Sequence, residues 1–555
     1  MKQQEVTAMG NNHVGSGLHR IYLALRSNIT AANLVALAGG VLLVFMLIAL
    51  REPWSIRIPL YLTVLVWTIL QPRMALYLMP FAVPWGSVDY IDVQGLRVNS
   101  ADILVVFLAA GWLMSFALRR VPATSIGGRL SASPGALDRA PSNVPAYLVF
   151  AMLALLGAMF LSMTVAISKV ESLKEISKWL EFLVLILLGA PYIRTRRQVW
   201  TIVVITCLAG ITQALFGYVQ FFFDIGPASF IRDASLRIYG TFDQPNPYAG
   251  YINLPLSIAL ALMLLGSNWK TRILAGGTVC FLATAEFLTQ SRGGELAIAA
   301  ALLFIVTVGF PRLRVVVGLL SLATLVGVAA FLAGLIPNFL LNPILSKLGL
   351  AGISLAKPTD QTFSTAERLA HWIAGLRMFF DHPLLGVGIG NYAQAYPQYF
   401  VTIFTDPLGH AHNYYINIAA ETGSIGLMAY ILFILAIFIA GGHSYRYITR
   451  KWMQAKSLHT RQQQAPAMRA TLQAPGNVQY PGWLAKRDIT AMFTNDRALS
   501  IGLLAALISV CVHNVFDDLY VHSLTNLMAL LIIVLIRLEK VTPKVGGKED
   551  NIAYL

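Results

Sequence analysis

Two imidazoles, two carboxamides and a carboxylate crowd the stretch from His410 to Glu421: His410, His412, Asn413, Asn417 and Glu421. Histidine accepts and donates protons near neutral pH, so such a cluster beside an apolar segment is a candidate for proton-transfer chemistry. A polar helix end is the plainer reading of the same residues. His412 could act as a general base toward an attacking hydroxyl, with His410 second to it. Asn413 and Asn417 are spaced i, i+4, share one face of a helix and could orient a sugar. Glu421 could cap or pair.

Cations gather in three further segments. Arg232, Asp233 and Arg237 precede Gly240-Thr241-Phe242-Asp243-Gln244-Pro245-Asn246-Pro247, and Ser291-Arg292-Gly293-Gly294-Glu295 forms a short turn between long apolar segments. A charge at a lipid boundary is costly unless paired or solvated, and such residues are functional by default. Arginine also suits bidentate phosphate binding, and Gly293 and Gly294 let a backbone or ligand come close. Arg292 could instead reach headgroups or pair with Glu286 or Glu295. Arg237 is a second candidate cation. Arg368 is a third, on a helix it shares with Glu367 and His371, where Trp372 one turn on offers cation–π packing in competition. His513, Asn514, Asp517 and Asp518 either support the same site or end a helix. Gly386-Val387-Gly388-Ile389-Gly390 has the wrong spacing for dinucleotide binding and reads as a tight turn. No His and carboxylate set has metal-ligand spacing, so neither a metal nor another cofactor is expected.

These groups need a scaffold, and composition says which kind. Hydrophobic residues are 57% of the chain and charged residues 12%, against about 25% charged in soluble domains. Apolar runs of bilayer-spanning length recur throughout. The chain therefore reads as an all-α polytopic membrane protein in contact with membrane lipids, with about fourteen spans. They are placed at 31–50, 56–70, 75–87, 103–118, 146–166, 176–193, 199–223, 248–265, 273–290, 293–309, 315–336, 425–441, 499–516 and 522–537. The net charge of +15 is no nucleic-acid signal, because Lys and Arg collect in alternate loops, as the positive-inside rule requires. That pattern puts both termini in the cytoplasm. It divides the chain into a tail at 1–30, spans at 31–336, an external loop at 337–424, a span at 425–441, a basic cytoplasmic loop at 442–498, spans at 499–537 and a tail at 538–555. All four polar clusters then meet one external face. Cys207, Cys280 and Cys511 lie in apolar runs and make no disulfide framework. Segments 121–144 and 455–482 read as flexible linkers. Within the external loop, Ser364-Thr365-Ala366-Glu367 reads as a capping box opening an amphipathic helix, and Asn391 as the cap of a second.

The motifs also resemble a family. Gly240-Thr241-Phe242 through Asn246-Pro247, Thr289-Gln290-Ser291-Arg292-Gly293, Glu367-Arg368 with Trp372 and His382-Pro383-Leu384-Leu385-Gly386, His412-Asn413 through Glu421-Thr422-Gly423, and His513-Asn514 with Asp517 occur in the order of the O-antigen ligase/polymerase-like family. They cover about 235–520; the first 200 residues match only as generic spans. The resemblance implies a GT-C-like helical bundle in a bacterial inner membrane, with a helical periplasmic loop bearing the catalytic groups. It implies an undecaprenyl-diphosphate-linked glycan as donor and lipid A-core or another glycan as acceptor. His412 would be the acceptor base, and Arg292 and Arg237 would hold the diphosphate. Ligase and repeat-unit polymerase both fit, and some relatives transfer to protein. A transporter of lipid-linked sugars is the rival from another class, and an envelope-assembly scaffold is a third reading. Transporters carry repeats and midplane polar sites, whereas here the polar groups gather at the outer boundary.

Overall fold

The computed structural model describes residues 54–88, 90–93, 96–119, 144–232, 235–335, 352–359, 362–464 and 486–542. The span expected at 31–50, the segment 1–30 and most of the 121–144 linker lie outside them. The chain divides into two units, 1–66 and 67–555, and everything below concerns the second unless stated. Helix α1 (Trp54–Leu70) runs across that division.

The second unit is helical almost throughout. Its helices are α2 (Arg73–Trp85), α3 (Ser100–Arg119), α4 (Ala146–Met163), α5 (Lys169–Gly189), α6 (Arg196–Phe222), α7 (Pro245–Leu265), α8 (Trp269–Leu288), α9 (Arg292–Gly309) and α10 (Arg314–Leu332). They continue with α11 (Phe363–Asp381), the one-turn α12 (Tyr392–Ala395), α13 (Tyr414–Gln464), α14 (Lys486–His513) and α15 (Leu524–Val541). Two small antiparallel hairpins interrupt them. One pairs β1 (Tyr90–Val93) with β2 (Leu96–Asn99), Ile91 opposite Val98, and the other pairs β3 (Ile231–Arg232) with β4 (Ser235–Leu236).

Among the described residues eight helices are long and apolar enough to cross a membrane. The chain is a multi-pass membrane protein. Apolar side chains line both faces of these helices, but only some are buried by protein. Along α10, Val315, Leu319, Leu322 and Leu325 are all exposed, as befits a helix whose solvent is lipid. The centre is made by α7 and α14. Nearly every residue of α7 is buried, and α14 packs along α7, α9 and α13.

Two segments differ from the sequence reading. Helix α13 does not stop near 441 but runs to Gln464, so part of the expected 455–482 linker is helical. Lys451 lies over the Tyr447 ring and Lys456 over Trp452; both pairs are spaced to meet on one helix face. Trp452 also donates to Thr494 of α14 (3.1 Å). The capping box at Ser364 does not form. The helix starts earlier, at Phe363, because Thr359 and Thr362 close a turn first, with Thr359 N–H donating to Thr362 Oγ1 (3.0 Å).

The long α13 is broken where the sequence reads Glu421-Thr422-Gly423. Gly423 has φ 63° and ψ −163°, a conformation open to glycine, and a Cβ there would lie 2.2 Å from the Leu384 carbonyl carbon. The break frees carbonyls that a helix would satisfy, and the 383–388 turn fills the gap. Val387 N–H donates to Ala420 O (2.9 Å), Gly388 N–H to Glu421 O (3.0 Å), and Ser424 N–H to Pro383 O (2.8 Å). The tight turn expected at Gly386–Gly390 is thus the plug of a helix break, and it fixes the segment that leads back to His412.

Candidate active site

Four separate elements bring functional side chains to one end of the bundle, where α7, α9 and α13 begin and α8 and α14 end. Each is held for a visible reason. Helix α9 starts at Ser291, whose Oγ accepts from Gly294 N–H. Asn253 of α7 donates to Gly294 O (2.9 Å) and to Glu286 of α8 (3.3 Å). A Cβ on Gly294 would lie 2.2 Å from Glu286 Oε1, so the glycine leaves room for the Glu286 carboxyl against α9. This sets Arg292 in the first turn of α9. Arg237, just after β4, is fixed by Nε donating to Thr289 O (2.8 Å), while Ile238 N–H donates to Leu288 O (3.2 Å).

The Gly240–Thr241 turn behind Arg237 is held by α6. Gln220 accepts from Gly240 N–H (2.8 Å) and donates to Gly240 O (2.6 Å), and Gln213 accepts from Thr241 N–H (3.2 Å). Sequence reasoning passed over both glutamines. Their signal was two amides seven residues apart in an otherwise apolar span, hence on one face.

The imidazole cluster is built around Asp517. His412 Nδ1 lies 3.4 Å and His410 Nε2 3.7 Å from Asp517 Oδ1. Asp518 N–H donates to the same oxygen (2.9 Å), and Asn246 Nδ2 donates to Oδ2 (2.7 Å). His412 N–H donates to His410 Nδ1 (3.1 Å), so in the neutral ring the proton of His410 sits on Nε2, facing Asp517. The carboxylate likewise favours Nδ1–H on His412. That leaves His412 Nε2 as the basic lone pair. Trp372 Nε1–H holds the His412 carbonyl (3.2 Å), and His412 itself has φ +51°, a strained backbone for a non-glycine residue, as is common at functional sites. Trp372 is thereby committed to His412, and Arg368 makes no cation–π contact among the described residues.

The electrostatics of these groups follow from how close they stand. Burial alone would raise Asp517, but the His412 hydrogen bond and the charges of His410, His412 and Arg368 hold it well below the usual carboxylate range. Arg237 is pulled down to about 10, first by burial and then by repulsion from Arg232, Arg368 and Arg292, with Asp517 opposing. His410 is lowered chiefly by burial. His371 is pulled down to about 4 by burial and by His412 and His410. Its ring stacks on Tyr396 (4.6 Å) and stands perpendicular to His412 (5.5 Å). Tyr392 O–H donates to His371 O, so His371 Nδ1 bears the proton it shares with that hydroxyl (3.1 Å).

The fold therefore joins Arg237, Asn246, Asp517, His410 and His412 directly, with Arg292 and Arg368 in electrostatic range. Other candidates stand elsewhere. Asn413 Oδ1 accepts from Tyr415 and Ile416 N–H at the start of α13, and Asn417 Oδ1 accepts from Ala411 N–H (3.0 Å). Glu421 Oε1 accepts from Tyr392 N–H (3.0 Å). Asn391, read as a helix cap, instead bonds Ser168, Ser172 and Ile389. His513 is buried beneath Gly293. Lys178, read only as part of the 176–193 span, forms an ion pair (2.5 Å) with Glu175 just before that span and donates to Tyr520 O (3.0 Å) in the loop that carries Asp517.

His410, His412 and Asp517 also bring three ligand atoms within 4.8 Å of one another, a group that could hold a metal ion. Sequence spacing hid this set, because Asp517 is 105 residues from His412.

Residues 277–431 match the family model described as O-antigen ligase. The likeness to the O-antigen ligase/polymerase-like family is shown over that stretch, from inside α8 to inside α13. It takes in Arg292, Arg368, His412 and Glu421; Arg237, Asn246, His513 and Asp517 lie outside it. The match supports a ligase- or polymerase-type function, a glycosyltransferase-like reaction with a lipid-linked glycan and an acceptor as partners. No curated protein matches the chain.

Proposed function

We propose that this chain is a glycosyltransferase of the bacterial inner membrane that moves a glycan from a polyprenyl-diphosphate carrier to a hydroxyl acceptor. The observation that carries the proposal is the direct chain from Arg237 through Asn246 and Asp517 to His412, with Arg232, Arg292 and Arg368 near enough to Arg237 to act on its charge. Guanidiniums brought together repel one another, and an anion with several oxygens relieves that cost. A diphosphate is such an anion, and on a lipid carrier its reacting bond lies at the membrane surface.

In this reading the acceptor hydroxyl attacks the anomeric carbon while the C–O bond to the diphosphate breaks. The electron pair leaves on the diphosphate, whose charge the arginines offset. The hydroxyl proton passes to His412 Nε2, and Asp517 stabilises the resulting imidazolium. Attack opposite the leaving group inverts the anomeric centre. Donor activation is already present, so no nucleotide is needed, and the arginines are assigned the leaving group's charge without calling on a metal. In this reading the site faces the periplasm and both termini the cytoplasm, which the alternation of basic loops supports, and the bundle is GT-C-like with about fourteen spans. Lipid A-core is the acceptor in the ligase form of the proposal; a repeat-unit polymerase would use a lipid-linked glycan instead.

The test is transfer by purified protein from an undecaprenyl-diphosphate-linked glycan. Arg292→Ala and His412→Ala should each abolish it at equal expression, and EDTA should leave the native rate unchanged. Full transfer by both variants would remove the site assignment, and loss with EDTA, restored by added metal, would turn the His410–His412–Asp517 group into a metal centre. A deletion strain separates the two forms: bare acceptor with accumulated lipid-linked polymer marks a ligase, single repeats a polymerase.

A further inference from the structure

The two halves of the site are joined by one side chain. Arg237 Nη2 donates to Asn246 Oδ1 (3.2 Å), and Asn246 Nδ2 donates to Asp517 Oδ2 (2.7 Å). Asp517 Oδ1 in turn faces His412 Nδ1 (3.4 Å). A carboxamide is suited to this place, because it offers an acceptor and a donor on one rigid plane. Aspartate there would only accept, and an apolar residue would do neither. The backbone is fixed too. Asn246 sits in the first turn of α7 between Pro245 and Pro247, whose rings set φ near the helical value. Few rotamers remain that satisfy both neighbours.

We propose that Asn246 is a positioning residue that couples occupancy of the arginine cluster to the orientation of the His412 base. The proposal rests on the diphosphate reading above. Arg237 spends Nε on Thr289 O and one Nη2 proton on Asn246, and its other N–H groups remain for an anion. An anion that draws on the guanidinium fixes its plane, which fixes the carboxamide, which fixes Asp517 against His412. The donor thereby tightens the alignment of the base that its own reaction needs.

The full-length protein in nanodiscs tests this with Asn246→Asp and Asn246→Ala. Asn246→Asp keeps an acceptor for Arg237 but, while ionised, cannot donate to Asp517. It should retain donor KM within about threefold and lose kcat by roughly 10–100-fold, the size of typical coupling between sites. A residue that only helped to hold phosphate would show the reverse split. In the native background the kcat losses of Arg237→Lys and Asp517→Asn should be less than multiplicative, and in Asn246→Ala multiplicative. A second readout needs no transfer. Inorganic pyrophosphate should change the rate at which diethyl pyrocarbonate modifies His412, read by mass spectrometry, in the native protein. In Asn246→Ala that change should largely vanish while pyrophosphate still binds by calorimetry. If glycan transfer is never found but this linkage holds, the coupling stands and the donor reading falls. Unchanged kcat in Asn246→Asp, or a His412 response as large in Asn246→Ala as in the native protein, overturns the coupling, as does a native protein that binds no pyrophosphate.

Discussion

Asp517→Asn is the sharpest perturbation of the proposed site, because it removes one charge and adds no volume. Asp517 Oδ2 accepts from Asn246, while Oδ1 faces His412 Nδ1, His410 Nε2 and Asp518 N–H. An asparagine cannot satisfy this set. With its oxygen toward Asn246, its NH₂ meets three donors, and His412 must move its proton to Nε2 to offer Nδ1 as acceptor. The lone pair that would take the substrate proton is then gone. With the amide flipped, two NH₂ groups oppose each other at Asn246, at a cost of about 1–3 kcal/mol for the unsatisfied donor. Electrostatics acts in the same direction. Opposite unit charges at the 3.4 Å separation of His412 and Asp517 attract by about 5 kcal/mol at an effective dielectric of about 20. That interaction exists only once His412 is protonated, so it stabilises the transition state and not the resting site. Its loss corresponds to roughly 10³–10⁴-fold in kcat. The assay is single-turnover transfer from a lipid-linked glycan by purified protein, with thermal unfolding in detergent run in parallel. A fall of less than about tenfold in a well-folded variant would refute the argument that Asp517 sets the tautomer and charge of His412.

His371 has its folded pKa pulled down to about 4, so the unfolded state binds more protons between there and the unfolded value of about 6.5. Stability should be full above about 6.5 and fall by about 3 kcal/mol as pH drops to 4; His371→Asn, which keeps a donor toward Tyr392, should flatten that slope in a thermal-shift series, and an unchanged slope counts against the assignment. Asp517, held low, adds a loss of stability below about pH 4, where its unfolded counterpart protonates. Gly423→Ala puts a Cβ 2.2 Å from the Leu384 carbonyl carbon at φ 63° and should cost about 1–3 kcal/mol from backbone strain alone. The variant should elute poorly by fluorescence size exclusion, whereas a native-like Tm would mean that the kink relaxes freely.

Much of this was legible in the sequence, and the limits have physical causes. Apolar length marks a membrane segment whatever its neighbours, so each described stretch read as a span contains helix. His412 and Arg292 stand out in the sequence as candidates because a titratable or charged group at a lipid boundary needs a reason. Asp517 was visible as a residue that could either support the site or end a helix. What gives it a role is a carboxylate–imidazole distance across 105 residues, which no local spacing encodes. Gln213 and Gln220 hid in a span because their partners, Gly240 and Thr241, lie in a later loop. Asn413 and Asn417 went the other way. Their i, i+4 spacing suggested a shared binding face, but a side chain at a helix start competes for backbone N–H groups, and their oxygens are taken that way.

The polar groups within the bundle bear on the choice between enzyme and transporter. A carrier path would call for polar side chains left open to a ligand near the midplane. On α5, Glu175, Lys178 and Glu181 are the charges that run deepest, Lys178 about 14 Å along the helix. They are engaged with one another and with the frame of the site. Lys178 pairs with Glu175 and donates to Tyr520 O, Tyr520 N–H donates to Asp518 Oδ1, and Asn526 donates to Glu181. The deep charges thus tie α5 to residues 518–526, the loop and helix start that immediately follow Asp517. Charged groups spent on fixing one loop do not form a path. A rigid loop is what a carboxylate needs if it is to hold an imidazole in one tautomer through a reaction. Lys178→Met should therefore lower kcat and leave donor KM nearly unchanged, whereas a transport path through α5 would make it a substrate-affinity variant.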